Sequence, residues 1–94
     1  MAELLTNSEV QESLVDSEWK LEGQAIVLDC EHSDFEAAWA FASKVAEAAE
    51  SANHHPDILV HGWNKTRITL STHSAGGVTQ LDLDLAGAID AFRA

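Results

Sequence analysis

The chain has 94 residues, 46% of them hydrophobic and 22% charged, a balance that fits one small globular domain with a single core and excludes a disordered chain. Acidic residues number 16 against 5 basic ones, for a net charge of -11; no basic cluster exists to neutralise a phosphate backbone, so direct nucleic-acid binding is not expected. Cys30 is the only cysteine, which excludes an intrachain disulfide and a zinc site built on several thiolates.

In chain order, Thr6-Asn7-Ser8-Glu9 fits a capping box, with Thr6 as N-cap and Glu9 reaching back. Leu5 and Val10 have the spacing of a hydrophobic staple. A short helix is expected from about Asn7 to Val15, burying Val10 and Leu14. The N-terminus lacks a basic region followed by an apolar run, so no signal peptide is expected. No apolar run approaches the ~18 residues of a membrane span, and the cytoplasm is the expected location.

Glu18–Glu22 alternates polar and apolar residues, as a half-buried strand does. Gly23-Gln24 marks a turn, and aliphatic Ala25–Cys30 reads as the second strand of a hairpin. Ser33-Asp34-Phe35-Glu36 fits a second capping box, with Ser33 as the cap. It opens the longest helix, whose Phe35, Ala38, Trp39, Ala42, Val45, Ala46 and Ala49 form one stripe facing a core. Trp39 is expected inside. His32 reads as a loop residue before the cap.

That helix runs into Glu50-Ser51-Ala52-Asn53-His54-His55-Pro56, which holds two adjacent imidazoles and the only proline. Proline biases its predecessor away from helical dihedrals, so the helix must stop here. Glu50 sits near the helix end, where the dipole disfavours an anion. A carboxylate in an unfavourable place hints at a role.

Asp57–His61 is a strand, Gly62–Lys65 a turn in which Trp63 is unusually large, and Thr66–Thr72 an alternating strand closed by His73. Ile68 and Leu70 share one face of it, opposite Arg67, Thr69 and Ser71. Ser74–Gly77 is a flexible loop whose glycines would let backbone approach a ligand. Thr79 caps the last helix. Val78 and Leu83 form its staple, and Leu81, Leu85, Ala88, Ile89 and Phe92 are its apolar residues. The expected fold is α+β in the order αββαββα. It is one domain over residues 1–94, with three helices on one face of a four-stranded antiparallel sheet.

His54, His55 and His73 with Glu50 and Asp82 form the candidate site. Histidine is the usual general acid or base near neutral pH. Three histidines and a carboxylate could also hold zinc. Against that, consecutive residues on extended chain point to opposite sides, and no HExxH-type helical pair is present. A Ser-His-Asp hydrolase is disfavoured because there is no G-x-S-x-G elbow. Asp82 also has a purely structural reading, as the third residue of a helix capped by Thr79. Trp63 and His61 read as rim residues.

The ordered spacing of Glu50, His54-His55-Pro56, Trp63-Asn64-Lys65, Ile68–His73, Gly77, Asp82 and Leu85-Ala86 resembles the pterin-4a-carbinolamine dehydratases along essentially the whole chain. The resemblance implies dehydration of 4a-hydroxytetrahydropterin to quinonoid dihydropterin, recycling the cofactor of aromatic amino-acid hydroxylases. It implies no metal and no other cofactor. His54 and His73 would be the acid/base pair, and His55 would bind and orient substrate. Glu50, Pro56, Trp63, Ser71, Thr72 and Asp82 would bind or orient. It also implies a homodimer, possibly a tetramer. Some family members also act as a dimerisation cofactor of a homeodomain transcription factor, so a non-catalytic protein-binding role is the alternative from a different class, and binding of a related pterin is the other.

Overall fold

The computed structural model describes residues 3–93. Its elements are α1 (Asn7–Ser13), β1 (Lys20–Glu22), β2 (Ala25–Glu31), α2 (Phe35–Ala52), β3 (Asp57–His61), β4 (Lys65–Leu70), a single 3-10 turn (His73–Ala75) and α3 (Gln80–Arg93). This is the expected αββαββα order. The four strands form one antiparallel sheet in the order β1-β2-β4-β3. The first hairpin turns at Gly23, whose φ of 63° lies in the left-handed region that glycine enters without penalty.

Register places Ile26 opposite Leu70 and Leu28 opposite Ile68, so these four side chains share the face covered by the helices. With Val10, Trp19, Val45 and Ile89 they are almost wholly buried. The opposite face carries the Arg67 guanidinium, which donates to both carboxylate oxygens of Asp29 and to Glu22.

The first helix keeps its expected capping box: Thr6 accepts from the Glu9 amide, and Glu9 accepts from the Thr6 amide. The cap of α2 falls one residue later than expected, on Asp34, whose carboxylate accepts from Ala37 N–H at 2.8 Å. A carboxylate answers the positive end of the helix dipole as well as its free amide, so it displaces the neighbouring serine.

The buried stripe of α2 is Ala38, Phe41, Ala42, Val45 and Ala49. Phe35 and Trp39 are 55% and 59% exposed and stack on one another outside, and Ala46 is exposed too. Trp39 was expected in the core; Phe41 takes that place. One residue is a rotation of about 100° on a helix, so Trp39 lies a flank away from Ala38, outside the stripe that Phe41 and Val45 share with the alanines. On α3, Leu85, Ala86 and Ile89 are buried, whereas Leu81 and Ala88 face outward. Among the described residues no helix is long and apolar enough to cross a membrane.

Candidate functional site

The site begins where α2 ends. Asn53 adopts the left-handed conformation, with φ 51° and ψ 43°. Its N–H donates to Glu50 O at 3.1 Å, and the His54 N–H donates to Ala49 O at 3.0 Å. This paired closure uses one left-handed residue to satisfy the last carbonyls of a helix. Asparagine is among the few side chains that accept that conformation readily. Pro56 then keeps the chain extended. Extended backbone sends adjacent side chains to opposite sides, and the two imidazoles are separated in this way.

His54 turns inward to α3. Its Nε2 lies 2.5 Å from Asp82 Oδ1; the histidine side chain is 12% exposed and the aspartate 0%. A buried carboxylate needs several donors to offset its lost hydration. Asp82 Oδ2 has two more: Thr79 N–H at 2.9 Å and the Thr72 hydroxyl at 2.8 Å. Asp82 is therefore both the capping carboxylate of α3 and the partner of His54. The structural and functional readings of that residue hold together. An ionised carboxylate only accepts. The proton in the contact then belongs to His54 Nε2, which leaves Nδ1 as the ring nitrogen able to take or give a proton.

His55 turns outward, and its Nε2 meets Glu50 Oε1 at 2.7 Å on the exposed surface. In that contact the imidazole Nε2–H donates to the carboxylate. Glu50 is one helical turn back, so its position near the helix end answers to this imidazole.

The third histidine, His73, is exposed at the start of the 3-10 turn. Thr72, immediately before it, bridges to Gly77: the Thr72 N–H donates to Gly77 O at 2.8 Å, and the Gly77 N–H to Thr72 O at 3.3 Å. Because the Thr72 hydroxyl also reaches Asp82, the loop bearing His73 is tied to the carboxylate that holds His54. Pairing Asp57 with Thr69 brings the Pro56 end of β3 to the Ser71 end of β4. Ser71 itself donates to Gln24 O at 2.9 Å. At Gly77 a side chain would strike Leu4, with an added Cβ 2.7 Å from Leu4 Cδ1. That glycine makes room for the N-terminal segment, which is also bound by Leu5 N–H to Val78 O at 2.9 Å.

Trp63 is not brought to this cluster. It sits in the three-residue turn at the far end of the β3–β4 hairpin, exposed and with a positive φ of 59°. The five residues of β3 separate it from Pro56 by roughly 13 Å or more at ~3.3 Å per residue. A bulky residue in that backbone region is rare and carries strain. Its size for a turn was the signal in the sequence. Asn64, next in the turn, donates to His32 O at 3.0 Å, and His32 Nε2 meets the buried Thr66 hydroxyl at 3.0 Å while its ring lies against Phe41. His32 is thus more than a loop residue, and its contacts are structural. His61 is exposed.

Thr79 is the residue whose part sequence reading understated. It was legible as a helix cap. Its buried hydroxyl also lies 2.8 Å from that of Thr72. The Thr-x-x-Asp spacing places Thr79 and Asp82 at the same helix end, but carries no sign of the Thr72 contact. Among the described residues, no three His, Cys, Asp or Glu side chains group as metal ligands would.

These features define a small α+β domain with an imidazole backed by a buried carboxylate at one end of its sheet. The chain belongs to the pterin 4 alpha carbinolamine dehydratase family, whose model matches residues 3–92. It is 47% identical over 90 residues to a protein of Trichormus variabilis, covering 95% of this chain and 96% of that one. It is 53% identical over 74 residues to a protein of Acidobacterium capsulatum, covering 79% of each. Both are provisionally named pterin-4-alpha-carbinolamine dehydratase. The fold matches a crystal structure from Brucella melitensis described as a transcriptional coactivator/pterin dehydratase. The TM-score is 0.83 at 37% identity, over 93% of this chain and 95% of that one.

Proposed function

We propose that the protein is a metal-free hydro-lyase that converts a 4a-hydroxytetrahydropterin to quinonoid dihydropterin and water, within tetrahydrobiopterin recycling. The observation that carries this reading is the contact of His54 Nε2 with buried Asp82. It holds one imidazole in a single tautomer and frees Nδ1 for proton transfer, in a chain whose family is named for this dehydration.

The reaction breaks the C4a–O bond and forms a carbon–nitrogen double bond in the ring. A proton must reach the departing hydroxyl, and another must leave the ring nitrogen. Two imidazoles can do both near neutral pH, because each is a competent donor and acceptor there. His54 and His73 are assigned this pair of transfers. His55, held by Glu50, binds and orients the pterin, with Pro56 and the Ser71–Gly77 backbone shaping the pocket edge. No cofactor is required, since the electrons redistribute within the substrate. The Nε2 atoms of His54 and His55 already face carboxylates, which suits proton transfer at Nδ1 better than shared metal ligation. Turnover of synthetic carbinolamine by purified protein tests the reading; no acceleration over the spontaneous dehydration would reject it.

A second reading concerns partners, and an exposed apolar surface favours it. The Phe35–Trp39 stack borders a groove of about 420 Å³ lined by Trp39, Ala42, Ser43, Ala46, Ile58 and Val60. Beside it, β3 is a sheet edge with an unpaired row of backbone groups. Such edges and patches mark association surfaces. We assign this one to a homodimer, or to a tetramer that uses the edge and the helix separately. The coactivator description of the Brucella neighbour makes a foreign protein the alternative occupant. Light scattering that finds only monomer at micromolar concentration would remove the homo-oligomer.

A further inference from the structure

Asp82 sits inside a hydrogen-bond chain whose direction can be worked out donor by donor. Its Oδ2 accepts from the Thr72 hydroxyl, which uses the only proton that hydroxyl has. In the 2.8 Å contact between the Thr72 and Thr79 hydroxyls, the donor must then be Thr79. The Thr79 oxygen in turn accepts from Leu81 N–H at 3.2 Å. The chain therefore runs one way: Leu81 N–H to Thr79, Thr79 to Thr72, and Thr72 to Asp82. It starts at the positive end of α3, and Thr72, Thr79 and Asp82 are all buried, so water does not compete for the two links among them.

We infer that Thr72 and Thr79 are positioning residues for the proton-transfer site, their hydroxyls fixing the Asp82 carboxylate so that His54 keeps its proton on Nε2 and offers Nδ1 to the substrate. This rests on the dehydratase reading above; it adds Thr79 and makes Thr72 a residue that acts through Asp82. The Thr72 hydroxyl is spent on Asp82, which sets it apart from a residue that touches pterin. If Oδ2 loses its hydroxyl donor, the carboxylate can rotate, and the imidazole can adopt the other tautomer. Because Thr72 directly precedes His73, the same chain also sets where the loop with the second imidazole begins.

The experiment pairs kinetics with nitrogen chemical shifts of the His54 ring, recorded where the imidazole is neutral. Wild type should show a single tautomer protonated on Nε2. Thr72→Val, which keeps the side-chain shape and removes the hydroxyl, should give a mixture of tautomers. Its kcat should fall roughly tenfold or more, the effect of one hydrogen bond to a charged group, with KM changed far less. Thr72→Ser should restore both readouts. Thr79→Ala removes the hydroxyl that points Thr72 and should move both in the same direction, with Thr79→Ser restoring them; this pair decides the matter should Thr72→Val not fold. A folded Thr72→Val that keeps one tautomer and the wild-type kcat overturns the inference, as does a folded Thr72→Ser no better than Thr72→Val. The resonance measurement needs no substrate. A wild type without turnover but with the tautomer shift in Thr72→Val would reject the dehydratase reading and still support the hydroxyl chain.

Discussion

His54 and Asp82 lie 28 residues apart in sequence and meet through Nε2 and Oδ1 at 2.5 Å. One stands just past the C-terminal end of α2 and the other in the first turn of α3, so the contact joins two helix ends through side chains. Each residue is placed by a capping motif. A left-handed asparagine sets His54, and a Thr-x-x-Asp cap sets Asp82.

Asp82→Ala should therefore have two effects. It leaves the Thr79 amide and the Thr72 hydroxyl without their shared acceptor in a buried site, which should cost about 1–3 kcal/mol of stability. It also frees the His54 ring, which should lower activity in the molecules that remain folded. Denaturant melts beside initial rates separate the two effects. A melt equal to wild type would place Asp82 outside the core.

Asn53 should be replaceable by glycine with little loss, because glycine enters the left-handed region freely. Asn53→Val should cost roughly 1–2 kcal/mol, the penalty of that conformation for an ordinary side chain. It should also lower kcat by displacing His54. Equal melting of the glycine and valine variants would contradict the closure described at this corner.

Phe41 and Trp39 test the phase of α2. Phe41→Ala should destabilise by roughly 3–5 kcal/mol, as truncation of a core aromatic does. Trp39→Ala should stay within about 0.5 kcal/mol in the isolated chain, as exposed substitutions do, and should reduce oligomer size if the groove beside it is an interface. Urea melts and light scattering give the two readouts. A Trp39→Ala variant that unfolds the monomer would reverse the assignment.

Local motifs made most of this fold legible in the sequence. The αββαββα order follows from alternation and turn residues, and the Thr6 box is where the spacing placed it. The errors lie where two local solutions compete. Ser33 and Asp34 are both good caps, and the helix dipole favours the charged one. Ala38-Phe41-Ala42 and Phe35-Trp39-Ala42 are both helical stripes, and which of them turns inward is decided by tertiary packing. At the site, the separation of His54 from His55 could be read from extended chain. Burial of Asp82 and the link from Thr72 to Thr79 are tertiary, and no spacing rule reveals them. The far position of Trp63 follows from hairpin register, which the strand boundaries of a single sequence do not fix.

The most direct measurement is the initial rate of carbinolamine dehydration, with and without chelator, for wild type, His54→Ala, His73→Ala and His61→Ala. Acid/base catalysis by imidazole predicts that chelator changes nothing. It predicts that His54→Ala and His73→Ala each lose about 10²–10⁴ of the catalysed rate, while exposed His61→Ala stays at the wild-type rate. Wild-type activity that disappears with chelator and returns with zinc, or full activity in both His54→Ala and His73→Ala, would contradict it.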